Sequence, residues 1–316
     1  CIRDSKHPLP MLILQYRKLY KLKNTYLDPL PLSIITSTGR VHSSFNQTMT
    51  ATGRLSTSSP NFQNIPIRTE DGKEVRKAIR ARSDKYQIFS ADYSQVELRV
   101  MAHLSGDESL ILALNNGEDI HTFTAKNIFN VDNDEKVLPE MRRIAKIVNF
   151  GIMYGAGPFR LSQELDVPFN EAKQIKDAYF NKYKGIERYI ETSKKHIKES
   201  KSVETLLGRK RAVWDSDSQN KIRRDAAERM AINMPIQGTA AEMIKLAMIK
   251  IHRIIKKENL KSMLIMQIHD ELLLEVHKDE LDYITKIVVE NMKNAMKLDV
   301  PIEIDFGSGP SWYEAH

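Results

Sequence analysis

The chain has 316 residues, 41% of them hydrophobic, with 48 Lys and Arg against 41 Asp and Glu for a net charge of +7. That length can bury one large core or two modest ones, the apolar content excludes disorder, and the small positive surplus permits a nucleic-acid partner without demanding one. No apolar run approaches the roughly 20 residues that span a bilayer, and Cys1, the only cysteine, excludes an internal disulfide and a Cys-based zinc site.

The opening Cys1-Ile-Arg-Asp-Ser5 has no initiator Met and no signal-like segment, and is expected to continue a longer chain. Leu12, Tyr16, Leu19 and Tyr20 recur at helical spacing from Met11 to about Lys23, and Pro29 and Pro31 are expected to end that helix. Ser33 to Pro66 has the Ser, Thr, Asn and Gly content of a linker, yet Val41, Phe45, Met49, Leu55, Phe62 and Ile65 punctuate it like anchors. A compact strand from Tyr86 to Ala91 runs into Asp92, and a helical pattern follows from Glu97 to about Leu114. A long helical region extends from Ile120 to about Lys201, broken at Gly151, Gly155, Gly157 and Pro158 and again at Pro168.

Val203 to Val213 reads as a hairpin turning at Gly208. Helices resume near Lys221, with one from Thr239 to about Lys257 that turns Met243, Ile244, Ala247, Met248 and Ile251 inward. Met263 to Val276 reads as two strands with a tight turn at His269-Asp270-Glu271. An amphipathic helix through Leu281 and Met292 and a strand from Pro301 to Phe306 complete the pattern. Strands toward both ends, with helices inserted between them, predict an α+β domain carrying a helical subdomain.

Three constellations carry chemistry. Asp92 and Asp270 each end an apolar strand, where a carboxylate is costly unless solvated, paired or metal-bound. Each alone is equally well a turn-forming Asp. Brought together, they would hold two Mg²⁺ ions roughly 3.5–4 Å apart, with Glu97 and Glu271 at the edge. Next, Arg142, Lys146, Phe150 and Tyr154 recur in steps of four along one helical stripe. Cations followed by aromatics suit a triphosphate and a base, although a surface helix with two core aromatics reads the same way. Finally, Thr50 to Asn64 offers small hydroxyl and amide groups with Arg54, suited to a phosphodiester backbone. Arg209-Lys210-Arg211 and Arg223-Arg224 would extend that track, or are solvated surface.

In their order along the chain these segments resemble family A DNA polymerases, the bacterial DNA polymerase I group. Asp92-Tyr-Ser-Gln-Val-Glu-Leu-Arg99 resembles the family's motif A, Arg142 to Gly155 its motif B, and His269-Asp270-Glu271 its motif C. Thr52-Gly-Arg-Leu55, Asn64-Ile-Pro66, Asp119-Ile-His121, Gln237-Gly-Thr-Ala-Ala241 and the close at Gly307-Ser-Gly309 and Trp312 fall in the expected order. The resemblance covers nearly the whole chain. It implies an α+β polymerase palm carrying helical fingers: residues 1–32 as the end of the thumb, 33–115 and 226–316 as palm, and 116–225 as fingers. The nuclease regions and most of the thumb are expected to lie outside this segment.

The resemblance further implies template-directed addition of deoxynucleotides to a primer by a two-metal route. Asp92 and Asp270 would bind the metals, and Asp92, Asp270, Glu271 and Lys146 would carry the chemistry. Arg142, Lys146 and His121 would hold the triphosphate, and Phe150 would pack near the sugar. A Phe there, rather than a Tyr, goes with rejection of dideoxynucleotides. Tyr154 would sit by the templating base, with Gln95 also at the nucleotide and Glu97 crowding a ribose 2′-hydroxyl. Arg54, Arg229, Asn233, Gln237 and His269 would contact primer and template. The expected protein is a monomer without a membrane partner, acting in the bacterial cytoplasm at the nucleoid, with an organellar origin also open. Three other readings stay open on the residues: a single-subunit RNA polymerase, a two-metal nuclease, and a non-catalytic DNA-binding module.

Overall fold

The computed structural model describes residues 7–66, 70–132 and 136–316, so Cys1 and the rest of the opening segment lie outside the described residues. Two compact units make up the chain. One comprises the residues up to Asp92 with Met248–Val289 and Asp305–His316; the other comprises Tyr93–Ala247 with Glu290–Ile304. Among the described residues no helix is long and apolar enough to cross a membrane.

The first unit is organised by β-rich, apolar stretches that pair because neither can bury itself alone. Its four-stranded sheet has the order Ile304–Gly309, Tyr86–Tyr93, Glu271–His277, Met263–Ile268. Glu271–His277 is buried at every position, as a central strand covered on both faces must be. Its neighbours run antiparallel to it, with Asp92 opposite Glu271 on one side and Ile268 opposite Glu271 on the other. Met263–Ile268 and Glu271–His277 are joined by the two residues His269 and Asp270, with His269 at φ +53°. The sequence predicted this hairpin. It did not predict the register shift between Leu264 and Met266, which breaks the simple alternation expected along that strand. The last strand begins at Ile304 rather than Pro301, whose missing N–H suits it to the approach.

A core of Tyr26, Phe62, Ile65, Val75, Ile88, Met266, Ile268, Leu273 and Trp312 ties the segments of this unit together. The stretch from Ser33 to Pro66 is no linker. It forms two small antiparallel hairpins, pairing Ile34–Ile35 with Arg40–Val41 and Ser44–Asn46 with Ser56–Ser58. It is also held by charge. Glu275, fully buried in the sheet, accepts from Arg40 Nη2 at 2.6 Å and from the Arg82 backbone N–H at 2.7 Å, and also pairs with the Arg82 side chain. Removing either arginine would leave a buried anion short of partners. Pro29 and Pro31 do not end helical structure as expected. The helix Pro8–Leu22 passes through a π-turn, Lys23–Leu27, into the short helix Pro29–Leu32, where Pro29 sits at the first turn and needs no amide donor.

The second unit is mostly helical. Val96–Ser105, Glu108–Asn115, Ile120–Phe129, Pro139–Met153, Pro158–Leu165, Phe169–Lys182 and Lys184–Ser200 follow in succession. The predicted hairpin pairs Ser202–Glu204 with Lys210–Ala212, and Gly208 takes φ +81°. Beyond it lies Trp214, 76% exposed. The helix Lys221–Lys257 runs unbroken for 37 residues, where the sequence suggested two pieces. Pro235 lies inside it, lacking the N–H that would bond back four residues.

Asp107, 2% exposed, fixes two helix starts in this unit at once. Its carboxylate accepts from the Leu110 N–H at 3.0 Å, and from the Gly185 N–H at 2.7 Å. A Cβ on Gly185 would lie 2.6 Å from the Asp107 Cα, so backbone meets backbone there. Gly185→Ala is therefore expected to cost about 1–3 kcal/mol in urea unfolding, the usual range for overpacking. An unchanged midpoint would show that the contact has room to relax.

Candidate active site

Sheet register brings together two aspartates that are 178 positions apart in sequence (270 − 92). Asp92, next to last in its strand, lies opposite Glu271, and Asp270 occupies the turn just before Glu271, so three carboxylates share one end of the sheet. Burial pushes the Asp92 carboxyl up to about 7, reinforced by the negative charges of Glu271 and Asp270. Burial also raises Asp270, against the opposing charges of Arg54 and His269. Arg54 Nη2 stands 3.7 Å from Asp270 Oδ1. The carboxylates gathered at this end of the sheet supply hard oxygen donors, which fit a divalent cation such as Mg²⁺.

No group of three or more His, Cys, Asp or Glu side chains is arranged to hold a metal among the described residues. An ion here would rest on Asp92 and Asp270, with water, backbone or ligand oxygens completing its shell, as Mg²⁺ commonly does. Glu271 is differently placed. Burial pushes its carboxyl up, but hydrogen bonds from His316, Ser90 and Trp312 outweigh that and hold it below the usual range. Its Oε1 accepts from Ser90 Oγ at 2.6 Å and from the Trp312 indole N–H at 2.8 Å, and lies 3.4 Å from His316 Nδ1. Arg76, 3% exposed, lays its guanidinium 3.8 Å over the Trp312 ring. The sequence reading gave no role to Ser90, Arg76 or His316, and Trp312 entered only as a likeness; no local pattern marks residues that act through another side chain.

In the second unit, Arg142, Lys146 and Phe150 lie along Pro139–Met153, and Tyr154 caps its C-terminal end. The opposite face buries Ala145, Val148, Asn149 and Ile152, so the stripe faces outward for a simple reason of periodicity. Arg142 and Lys146 are exposed, and Phe150 is half-buried. The rings of His121, Phe150 and Tyr154 form a row, with centroids 5.8 Å and 6.3 Å apart. The Tyr154 hydroxyl donates to the buried Glu97 carboxylate, which anchors both side chains. Gln95, at φ +52°, precedes the helix that carries Glu97.

His121 is held by Asn149, a residue the sequence reading passed over. The Asn149 amide nitrogen lies 3.1 Å from His121 Nδ1, and donation there leaves the ring proton on Nε2. Burial pushes the His121 pKa down to about 4, against the upward pull of the Asp119 carboxylate and with the nearby positive charges of Arg142 and Lys146, so the ring is neutral near pH 7 and Nε2–H is a donor. Asn149 is itself oriented by Thr124, whose hydroxyl also meets the Tyr183 hydroxyl at 2.8 Å. Only its inward position, one residue from Phe150 on the outward stripe, could have drawn attention to Asn149.

Arg229, Asn233 and Gln237 repeat every four residues on Lys221–Lys257, forming a half-buried polar stripe. Asn233 Oδ1 is buried without a hydrogen-bond partner, which is what a ligand-facing acceptor would show. Gly155, at φ +73°, packs so tightly against this helix that a Cβ would lie 2.9 Å from Arg229 Cγ. Gly151 is likewise a packing glycine, where a Cβ would meet Leu161 at 3.0 Å. His269 is exposed beside Asp270 in the first unit.

With this geometry in place, the chain's family is settled by comparison. Residues 2–314 match the family described as DNA polymerase family A, and the chain belongs to that family. It is 50% identical over 309 residues to the thermostable DNA polymerase I of Thermus filiformis, covering 98% of this chain and 37% of that protein. It is 47% identical over 311 residues to DNA polymerase I of Bacillus subtilis strain 168, covering 98% of this chain and 35% of that one. The chain thus spans little more than a third of the curated relatives it matches. Among solved structures it resembles the POL domain of Pol1 from M. smegmatis in complex with DNA primer-template and dNTP. That likeness has a TM-score of 0.94 at 43% identity, over 99% of this chain and 55% of that one.

The crowding of carboxylates has a measurable consequence. The folded pKa of Asp92 lies above its unfolded value, so its contribution to stability is present at low pH and lost as pH rises through about 7. In metal-free buffer Asp92→Asn should therefore raise the melting temperature most at pH 8 and least below the unfolded value of 3.8. Added Mg²⁺ should raise the wild-type melting temperature more than that of the variant. Equal stabilisation of both by Mg²⁺ would place the ion elsewhere.

Proposed function

We propose that this chain carries the synthetic centre of a DNA-directed DNA polymerase, adding deoxynucleoside 5′-triphosphates to a primer 3′ end on a DNA template. The observation that carries this reading is the meeting of Asp92 and Asp270 at one end of the sheet, in an environment that favours bound cations over bare carboxylates. Family membership and the ligands in the M. smegmatis relative support it. The division into palm, fingers and the end of a thumb at the boundaries given above belongs to the same proposal, as do monomeric action and a place in the cytoplasm.

Asp92 and Asp270 would hold two Mg²⁺ ions. When bound, those ions supply charge neutralisation and activation of the attacking oxygen. Arg142 and Lys146 would neutralise the triphosphate, and His121 would donate its Nε2–H to a phosphate oxygen. Phe150 and Tyr154 would offer their ring row to the nucleotide sugar and base, with Gln95 beside them. The Glu97 carboxylate, fixed by Tyr154, would crowd a 2′-hydroxyl. Arg54 and His269 in one unit, and Arg229, Asn233 and Gln237 in the other, would contact primer and template. The primer 3′-oxygen attacks the α-phosphorus, one phosphodiester bond forms, and the bond to pyrophosphate breaks; Glu271 keeps the carboxylate end of the sheet in place. Catalysis then comes mainly from positioning and charge stabilisation.

Primer extension by the purified chain with Mg²⁺ and four deoxynucleotides tests the proposal directly. Templated products that vanish in Asp270→Ala are expected; products that survive that change would remove Asp270 from the chemistry. Net degradation of DNA without nucleotides would favour a nuclease instead. Glu97→Ala should raise ribonucleotide incorporation relative to deoxynucleotides by at least tenfold (about 1.4 kcal/mol of discrimination). Unchanged sugar preference would end the steric role given to Glu97.

A further inference from the structure

The cation at the head of the fingers stripe already has a partner. Arg142 donates through Nε to Asp119 Oδ1 at 3.0 Å and through Nη2 to Asp119 Oδ2 at 2.7 Å, a two-pronged pair that occupies one whole edge of the guanidinium. Asp119 does a second job with the same carboxylate, accepting from the Thr122 N–H at 2.7 Å as N-cap of Ile120–Phe129. The aspartate is thus locked in place by its own helix, whereas Arg142 reaches it on a long, flexible stem from Pro139–Met153. Side-chain exposure is 46% for Arg142 and 36% for Asp119, so water screens the pair and its net strength is modest. His121 lies two residues beyond Asp119, and Lys146 one turn beyond Arg142.

We propose that Asp119 is an exchange partner for the triphosphate: it holds Arg142 in the free protein, releases it to the incoming nucleotide, and takes it back as pyrophosphate departs. This rests on the reading of Arg142 as a triphosphate ligand. The chemistry follows from the edge that is occupied. A triphosphate drawn to Lys146 and the His121 Nε2–H brings several negative charges toward a guanidinium whose Nε–Nη2 edge is already filled by an anion. Retaining Asp119 beside the phosphates opposes binding by like-charge repulsion, and releasing it costs only a solvent-screened ion pair. The fixed carboxylate then competes for Arg142 with every phosphate species in turn. Nucleotide and pyrophosphate are both held less tightly than Arg142, Lys146 and His121 alone would allow, and product leaves sooner. Asp119 acts here through Arg142 as a positioning residue.

Asp119→Asn separates the two jobs, because Asn caps a helix as well as Asp but carries no charge. Dissociation constants for dATP and for pyrophosphate are measured by equilibrium titration of the purified chain, for wild type, Asp119→Asn, Arg142→Ala and the double variant. Melting temperature is recorded alongside. Asp119→Asn is expected to tighten both ligands by roughly twofold to fivefold, the range an exposed ion pair spans. A gain in affinity is not what damage to the fold would produce. Arg142→Ala should weaken both ligands, and adding Asp119→Asn to it should change nothing further. Weaker or unchanged binding in Asp119→Asn would overturn the exchange and leave Asp119 as a mere support for Arg142. A gain that persists in the Arg142→Ala background would also overturn it, reducing Asp119 to a distant charge. Arg142→Ala with unaltered affinity would instead defeat the reading of Arg142 itself.

Discussion

Glu271 has to remain an anion inside a buried sheet, and the first unit is arranged around that requirement. A buried carboxylate without partners would take up a proton or force the strand apart. Here one oxygen receives a hydroxyl from the neighbouring strand, an indole N–H from the last helix and the edge of a histidine ring. The indole is held in turn between the core and the Arg76 guanidinium. The neighbouring strand and the last segment of the chain thus converge on one atom of the central strand, with Asp270 beside it in sequence and Asp92 opposite it in the sheet. Glu275, four residues further along the same strand, repeats the solution with two arginines.

The second unit uses polar side chains in a different way, to orient rather than to anchor. Asn149 selects the tautomer of His121, Tyr154 fixes Glu97, and Asp107 fixes two helix starts. Each group aimed outward is backed by one aimed inward. Such backing matters for recognition of phosphates and bases, where a displaced donor loses much of its value. The long helix Lys221–Lys257 extends the same logic, since its polar stripe at Arg229, Asn233 and Gln237 is set by periodicity alone.

Much of this was legible in the sequence because motif residues sit at ends and turns, where composition marks them. Asp92 at a strand end, the turn at His269-Asp270 and the four-residue stripe from Arg142 to Tyr154 were all found that way. The meeting of Asp92 with Asp270 was not, because strand pairing across such a separation leaves no local trace. Pro29 misled because a proline breaks a helix only where its missing N–H is needed, and a first turn tolerates it. Glu275 with Arg40 and Arg82, and Glu271 with its partners, were invisible because each joins residues far apart in the chain. Asp119 was seen in its motif and given no role, since the carboxylate that caps its own helix looks complete without Arg142.

The fold also places the two tryptophans of the chain in opposite surroundings. Trp312 is fully buried with its indole bonded to Glu271, while Trp214 stands in solvent at 76% exposure. A water-borne quencher such as acrylamide extinguishes the emission of the second and leaves that of the first. What remains is an optical signal, native to the protein, from a ring in direct contact with the carboxylate end of the sheet. Rearrangement there, such as undocking of the last helix, becomes visible by fluorescence without any added label.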